Sequence, residues 1–314
     1  MRLKRQRGVA IITALLLTTL AITIVASLFW QQQVQVRSME NQRLQLQTRW
    51  ILRGALDLSR LILNQDFQDS QTITQQNGVW ATPLEETRLD DYVERERLQG
   101  ENFDATLSGR MTDAQSRYNL ANLAASKQVD PTQLAIFQKL LTNLRLDPGL
   151  AQGVAELVVQ SQFLPVQPQQ NSSGGSSEPM ELVRAEDLLA VSGFSPPAID
   201  QLRDYVIALP TNSTKINVNT APAELLSALV PDLSLSEAAA MVNTRKTVYY
   251  RNQGDFTGTA QMVGKQKPAQ QLYAVRSDYF LAYSRVKLDR ATLETQSLLR
   301  RNGSITTVVW IREY

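Results

Sequence analysis

Residues 9–30 form a run of 22 positions without a charge, and the next charged side chain is Arg37. A helix over that run is about 33 Å long, which matches a hydrocarbon core of about 30 Å and predicts one membrane-spanning helix. A cleavable secretory signal has a shorter apolar region closed by a small-residue site, whereas here Gln31, Gln32 and Gln33 follow directly. Beyond them the apolar pattern narrows to a stripe. Ile51, Ala55, Leu58 and Ile62 are spaced 4, 3 and 4, the period of one helix face, and no proline occurs before Pro83. A single helix is therefore predicted from Val9 to about Asn64, roughly 84 Å long, its first half in lipid and its second half packed on a folded domain. Gly54 inside it costs about 1 kcal/mol relative to alanine and is expected to permit close packing.

At the other end of the chain the period changes to two. Residues 279–288 place Phe280, Ala282, Ser284, Val286 and Leu288 on one face, and residues 292–300 place Leu293, Thr295, Ser297 and Leu299 likewise. Residues 305–312, rich in β-branched side chains, form a third strand. Between the last two, Arg301-Asn302-Gly303-Ser304 predicts a type I′ hairpin, because Asn-Gly accepts positive φ at both central positions. Residues 103–111 are expected to add one more strand before the chain leaves the sheet.

The stretch from about Thr112 to Arg276 is predicted to be a mostly helical insert. Asp130-Pro131 opens a helix with buried Leu134, Phe137, Leu141 and Leu144, and Asp147-Pro148 opens the next. Ser195-Pro196 opens a third, with Leu202, Val206 and Leu209 inward and Pro210 as its stop. Residues 165–179 are predicted to be a flexible loop, and residues 251–270, rich in Gly and Gln, a second soft stretch.

Composition and charge change this picture in three ways. The chain has 32 basic and 30 acidic residues, but Arg2, Lys4, Arg5 and Arg7 put four positive charges ahead of Gly8, so the remainder is close to neutral. That basic cluster keeps the N-terminus cytoplasmic and sends everything after the apolar run across the membrane. A mean hydropathy of −0.23 excludes a multi-span protein. The absence of Cys and His removes disulfides, thiolate and imidazole chemistry, and zinc sites built from those ligands.

What remains for chemistry is thin. Glu85, Glu86, Asp90, Asp91, Glu94 and Glu96 alternate with Arg88, Arg95 and Arg97, which is the pattern of a self-neutralising solvated surface rather than of a metal or catalytic site. No Ser-to-Lys spacing marks a dyad. No catalytic residue and no cofactor are expected. The most specific internal string is KINVNTAPAELL, residues 215–226. In it Thr220 is expected to cap a helix whose first turn holds Pro222 and Glu224, while Asn217 and Asn219 tie the preceding turn. The string resembles helix-hairpin-helix modules, including those of membrane-anchored DNA-uptake receptors, which is the alternative function. DNA-binding versions present a Gly-hydrophobic-Gly hairpin to phosphate. Here that hairpin is Val230-Pro231-Asp232-Leu233-Ser234, without glycine and with an acid, and Ser192-Gly193-Phe194-Ser195 has one glycine only. No Lys/Arg cluster accompanies either, so a structural role is expected and nucleic acid is not.

The Arg-Gly preceding Val-Ala-Ile-Ile-Thr-Ala-Leu-Leu-Leu resembles the class III leader of type IV pilins and type II secretion pseudopilins. That resemblance implies cleavage between Gly8 and Val9 by a prepilin peptidase and methylation of Val9. Such proteins usually carry glutamate at mature position five, where this chain has Thr13. Together with Arg117-Tyr118-Asn119-Leu120-Ala121-Asn122-Leu123, residues 215–226, the helical hairpin of residues 186–210 and the terminal VVWIRE strand, the chain resembles the K minor pseudopilins of type II secretion.

The resemblance implies an α+β, type IV pilin-like fold with a large α-helical insert containing helix-hairpin-helix or SAM-like elements. Its parts would be a leader (1–8), a transmembrane segment (9–30), a periplasmic helix and first part of the pilin-like domain (31–111), the insert (112–276) and the C-terminal strands (277–314). It implies a non-enzymatic, inner-membrane, periplasm-facing subunit capping the pseudopilus tip and needed for export of folded proteins. Its partners would be the minor pseudopilins I and J, the H subunit, the major pseudopilin, prepilin peptidase and the exported proteins. Thr13 is then read as a marker of the tip position, since a first subunit has no ammonium ahead of it to pair a buried glutamate, and its hydroxyl is expected to bond back to the carbonyl four residues earlier. The family's Asp-rich calcium stretch would fall at residues 160–179, where Glu178 is the sole carboxylate, so calcium is not expected.

Overall fold

Without a proline and with only Gly54 to weaken it beyond its start, the N-terminal region forms one unbroken helix, α1 (Arg7–Asp69), of 63 residues. The computed structural model describes residues 7–89, 105–162 and 180–314. In the apolar half of α1, Thr13, Thr18, Thr19 and Thr23 each donate to the carbonyl three residues back at 2.8–3.0 Å, which satisfies their hydroxyls within the helix itself. This is the one helix among the described residues long and apolar enough to cross a membrane, and its apolar stretch is exposed along its length.

The second half of α1 lies on a five-stranded antiparallel sheet built from β1 (Leu84–Arg88), β2 (Ala105–Asp113), β3 (Tyr279–Leu288), β4 (Ala291–Asn302) and β5 (Ile305–Glu313), in that spatial order. Leu52 and Ala55 meet Leu107 and Val286, and Leu63 joins Trp80, Met111, Phe280, Ala282 and Leu299. Of the predicted stripe Ala55 is buried and Ile51 and Ile62 pack at its flanks, but Leu58 is 40% exposed; the most buried positions are Thr48, Leu52, Ala55, Leu56, Leu63 and Asp66. The apolar spacing alone missed this because Thr48 and Asp66 are among the buried positions. Gly54 faces outward, and a Cβ built on it meets nothing within 4 Å, so it serves no close packing inside this chain.

The strands fall where the period of two places them, with one change at the last hairpin. Asn302 pairs with Ile305, leaving Gly303-Ser304 as the loop, and only Gly303 has positive φ (63°). That is the type II′ pattern with glycine first, not the expected I′ pattern.

β2 and β3 are direct neighbours, Asp113 lying opposite Phe280, so the whole helical insert leaves from and returns to one end of the sheet. It has its own core, in which Phe137, Leu140, Val154, Leu202, Leu226 and Phe256 are fully buried. Asp130 caps α2 (Pro131–Asn143) by accepting from the Thr132 and Gln133 amides. α3 (Leu150–Ser161) starts later than Asp147-Pro148 predicts, with Asp147 instead accepting from the Gly149 amide in the turn before it. α4 (Pro196–Leu202) ends well ahead of Pro210. Val206 and Ile207 turn extended and pair in parallel with Tyr118 and Asn119, so this tertiary pairing overrides the helical spacing.

α5 (Ala223–Leu229) and α6 (Leu235–Arg245) follow, then α7 (Gln253–Thr257) in the stretch expected to be soft. There Asn252 caps the helix and buried Phe256 sits between Tyr250 and Tyr273, which orders the Gly- and Gln-rich segment. The loop predicted at residues 165–179 lies outside the described residues.

The outward Gly54 and inward Leu63 predict opposite effects. In urea unfolding of a fragment beginning at Gln31, Gly54→Ala should raise stability by up to about 1 kcal/mol, and Leu63→Ala should lower it by about 2–5 kcal/mol.

Candidate functional site: the anchor helix and the buried junction

The residues singled out from the N-terminal pattern lie at the start of α1. Gly8 and Val9 fall within its first residues, and the Thr13 hydroxyl donates to the Ala10 carbonyl at 3.0 Å, three residues back. Because Thr18, Thr19 and Thr23 form the same local bond, it does not distinguish Thr13 from them.

Of the other singled-out residues, Asn217 and Thr220 meet where the insert joins the sheet. Asp113, the last residue of β2, is buried, and its carboxylate accepts four hydrogen bonds: from the Gln115 amide (2.8 Å), Asn217 Nδ2 (2.9 Å), Thr220 Oγ1 (2.5 Å) and Ser277 Oγ (2.6 Å). Asn217 Nδ2 also donates to the Thr74 carbonyl, and the Ser277 amide donates to Thr74 Oγ1. From the other side the buried Arg301 guanidinium donates to Asp66 Oδ2 (2.7 Å), Thr74 Oγ1 (2.8 Å) and the Ser277 carbonyl (2.9 Å), stacked over Phe280. One continuous network thus joins α1, the segment after it, three strands of the sheet and the insert.

Within the insert, Asn219 accepts from the Tyr250 amide and donates to the Tyr250 carbonyl, while Asn217 Oδ1 accepts from the Asn219 amide, the local tie expected of it. Thr220 does not cap α5. Pro222 holds the N-cap position without a side-chain bond, and the Thr220 hydroxyl is spent on Asp113. Glu224 lies in the first turn of α5 and its carbonyl receives Asn143 Nδ2. The Arg117–Leu123 string acts similarly: Asn119 and Asn122 grip residues 211–214 through backbone and side-chain bonds.

In the α5–α6 hairpin the amides of Leu233, Ser234 and Glu237 are bonded within the chain. Asp232 takes positive φ, the Lys265 ammonium donates to its carbonyl, and Ser234 and Glu237 form a reciprocal cap. Glu237 is held down to about 2 by the Ser234 hydroxyl and amide and by Lys265. Of the acidic cluster, Glu86 accepts from Thr106 Oγ1 on the exposed edge of the sheet, and residues 90–96 lie outside the described residues. Among the described residues no three Asp or Glu side chains gather to hold a metal, and Gln162, in the stretch where family calcium would fall, is spent on Lys127 and Ala124 backbone groups.

Models described as type II secretion system (T2SS), protein K match residues 116–211 and 216–276, together half of the chain. The chain belongs to the type II secretion system protein K family. Both matches fall on the insert, the part that interrupts the pilin-like sheet. Curated relatives named type II secretion system protein K include those of Pseudomonas aeruginosa, 27% identical with 96% of this chain and 91% of the relative covered, and Dickeya chrysanthemi, 27% identical with 97% and 96% covered. The Klebsiella pneumoniae protein K is 26% identical, with 97% and 95% covered. A solved chain from the GspK-GspI-GspJ complex of enterotoxigenic Escherichia coli matches with a TM-score of 0.69 at 17% identity, covering 88% of this chain and 99% of that one, which confirms the α+β pilin-like fold with its insert. These protein K relatives are named as secretion-system components, in keeping with a minor pseudopilin.

Reasoning from sequence found Asn217, Asn219 and Thr220 but missed Asp113, Arg301 and Asp66. For Asp113 and Arg301 the available signal was a charge interrupting an alternating strand at a position the pleat turns inward; Asp66, on α1, falls on the helix's buried face with Leu52, Ala55 and Leu63.

Burial raises the Asp113 pKa, and its four hydrogen bonds oppose the rise without cancelling it. A carboxylate with a raised folded pKa binds its proton more tightly in the native state, so its titration adds stability as pH falls from above that pKa toward about 4 and removes it as pH rises. Asp113→Ala also strands buried donors, at a cost of about 3 kcal/mol. The destabilisation by Asp113→Ala in urea unfolding should therefore be larger at pH 5 than at pH 7. An equal or smaller effect at pH 5 would contradict this ionisation.

Proposed function

We propose that this chain is the minor pseudopilin at the tip of the type II secretion pseudopilus, assembling with the I and J minor pseudopilins and required for export of folded proteins. The observation that carries the reading is the position of the insert. It is rooted at Asp113 and Ser277, beside Asp66 and Thr74 at the C-terminal end of α1, the end farthest from the apolar run. A bulky body at that end obstructs a subunit stacked ahead while leaving the exposed apolar half of α1 for bundling behind, the geometry a first subunit needs. The T2SS complex with GspI and GspJ from a relative of the same fold supports those two partners.

In the same reading residues 1–8 are a leader removed between Gly8 and Val9 by prepilin peptidase, and Val9 is then methylated. Residues 9–30 span the inner membrane with the body in the periplasm, and Thr13 marks the tip. The H subunit and the major pseudopilin would lie behind it. The closed α5–α6 hairpin gives no support to a DNA-uptake receptor.

Co-purification tests the assembly. Membrane-extracted chain should carry I and J in a defined ratio, and its intact mass should correspond to methylated residues 9–314. Retention of residues 1–8 in peptidase-competent cells, or purification without either partner, would overturn the reading. We also propose that calcium is not a structural ligand here. Thermal melts of the complete chain in calcium and in chelator should coincide, and a calcium-dependent rise in midpoint would contradict this.

A further inference from the structure

A cleft of about 680 Å³ lies between the insert and the sheet face opposite α1. Its lining holds five arginines and two carboxylates, Glu186 and Asp204, in a chain whose part after the leader is close to neutral. Arg203 is paired with Asp200, and two of the other four stack on aromatic rings. Arg110 stacks on the Tyr283 ring at 5.0 Å and Arg312 on the Trp310 ring at 3.8 Å, Arg312 also donating to the Val183 carbonyl. Arg117, its side chain only 16% exposed, has Asp204 at 3.8 Å and the Tyr283 hydroxyl at 3.4 Å as its nearest partners, both weak. Among the described residues, Arg110, Arg184 and Arg312 have no carboxylate in ion-pair reach.

Guanidinium groups pinned on aromatic rings keep their N–H forks available for bidentate carboxylates. We infer that this cleft binds an acidic, extended stretch of a partner protein, its Asp or Glu side chains paired with Arg110, Arg117 and Arg184. Nucleic acid fits less well. Tyr283 and Trp310 pack against the Ile207, Leu281 and Leu298 cluster and carry arginines, so they are not free for base stacking, and Glu186 and Asp204 interrupt any phosphate track. The inference does not depend on the tip assignment, because the cleft lies on the face away from α1 and is formed within one chain.

The test uses the full chain in detergent and a fluorescein-labelled peptide of four Glu-Asp-Gly repeats, followed by polarisation. The expected result is saturable binding that weakens at least tenfold between 50 and 300 mM salt, at least tenfold in the exposed pair Arg110→Gln and Arg184→Gln with an unchanged melting midpoint, and tightens about threefold in Asp204→Asn. A Gln-Asn-Gly peptide binding equally well, wild-type affinity in the double variant, or displacement of the peptide by oligothymidine at lower concentration than by unlabelled peptide would overturn it.

Discussion

A carboxylate removed from water must be compensated where it lies, and in this fold Asp113 is compensated by donors from both the sheet and the insert. Its partners Gln115 and Ser277 flank the two strand ends, whereas Asn217 and Thr220 come from the insert. Removing any partner exposes a buried charge to an incomplete shell, which is far costlier than losing a surface hydrogen bond. Arg301 and Asp66 impose the same condition between β4 and α1, and Thr74 and Ser277 connect the two charged centres. Apolar packing alone would let the insert slide on the sheet; these directional bonds set one arrangement.

That arrangement gives the molecule two unlike ends. Toward the N-terminus α1 projects as an exposed apolar rod, suited to lipid and to neighbouring helices. At the opposite end the insert is held rigidly against α1 and the sheet. Its core is separate from the sheet's, so the polar junction and the small cluster of Ala114, Ile207, Leu209 and Leu281 are what couple them. The arginine-lined cleft is a by-product of the same coupling, since one wall is sheet and the other insert.

The long helix, the C-terminal strands and the helical character of the insert were legible because each rests on a repeating pattern: an uncharged run, a period of two, or an Asp-Pro start. On the helix Ile51, Ala55 and Ile62 pack on the sheet as the stripe predicts and Leu58 does not, while buried Thr48 and Asp66 are positions that a hydrophobic stripe does not count. Val206 and Leu209 looked helical by spacing, but Val206 sits in a two-residue parallel pairing with Tyr118 that no local pattern encodes. Residues 251–270 looked soft by composition and are ordered by the burial of Phe256 and Met262. For the junction, Asn217, Asn219 and Thr220 stood out as a string, but their partner Asp113 lies about a hundred residues earlier and is joined to them only by the fold.

Native-state hydrogen exchange of the full chain in detergent across rising urea tests whether the junction makes insert and sheet one cooperative unit. Amides around Asn217 and Thr220, around Ser277 and in β4 near Arg301 should converge on one opening free energy equal to that of global unfolding. Exchange of the insert amides through a separate, lower-energy opening while β3 and β4 stay protected would contradict the account.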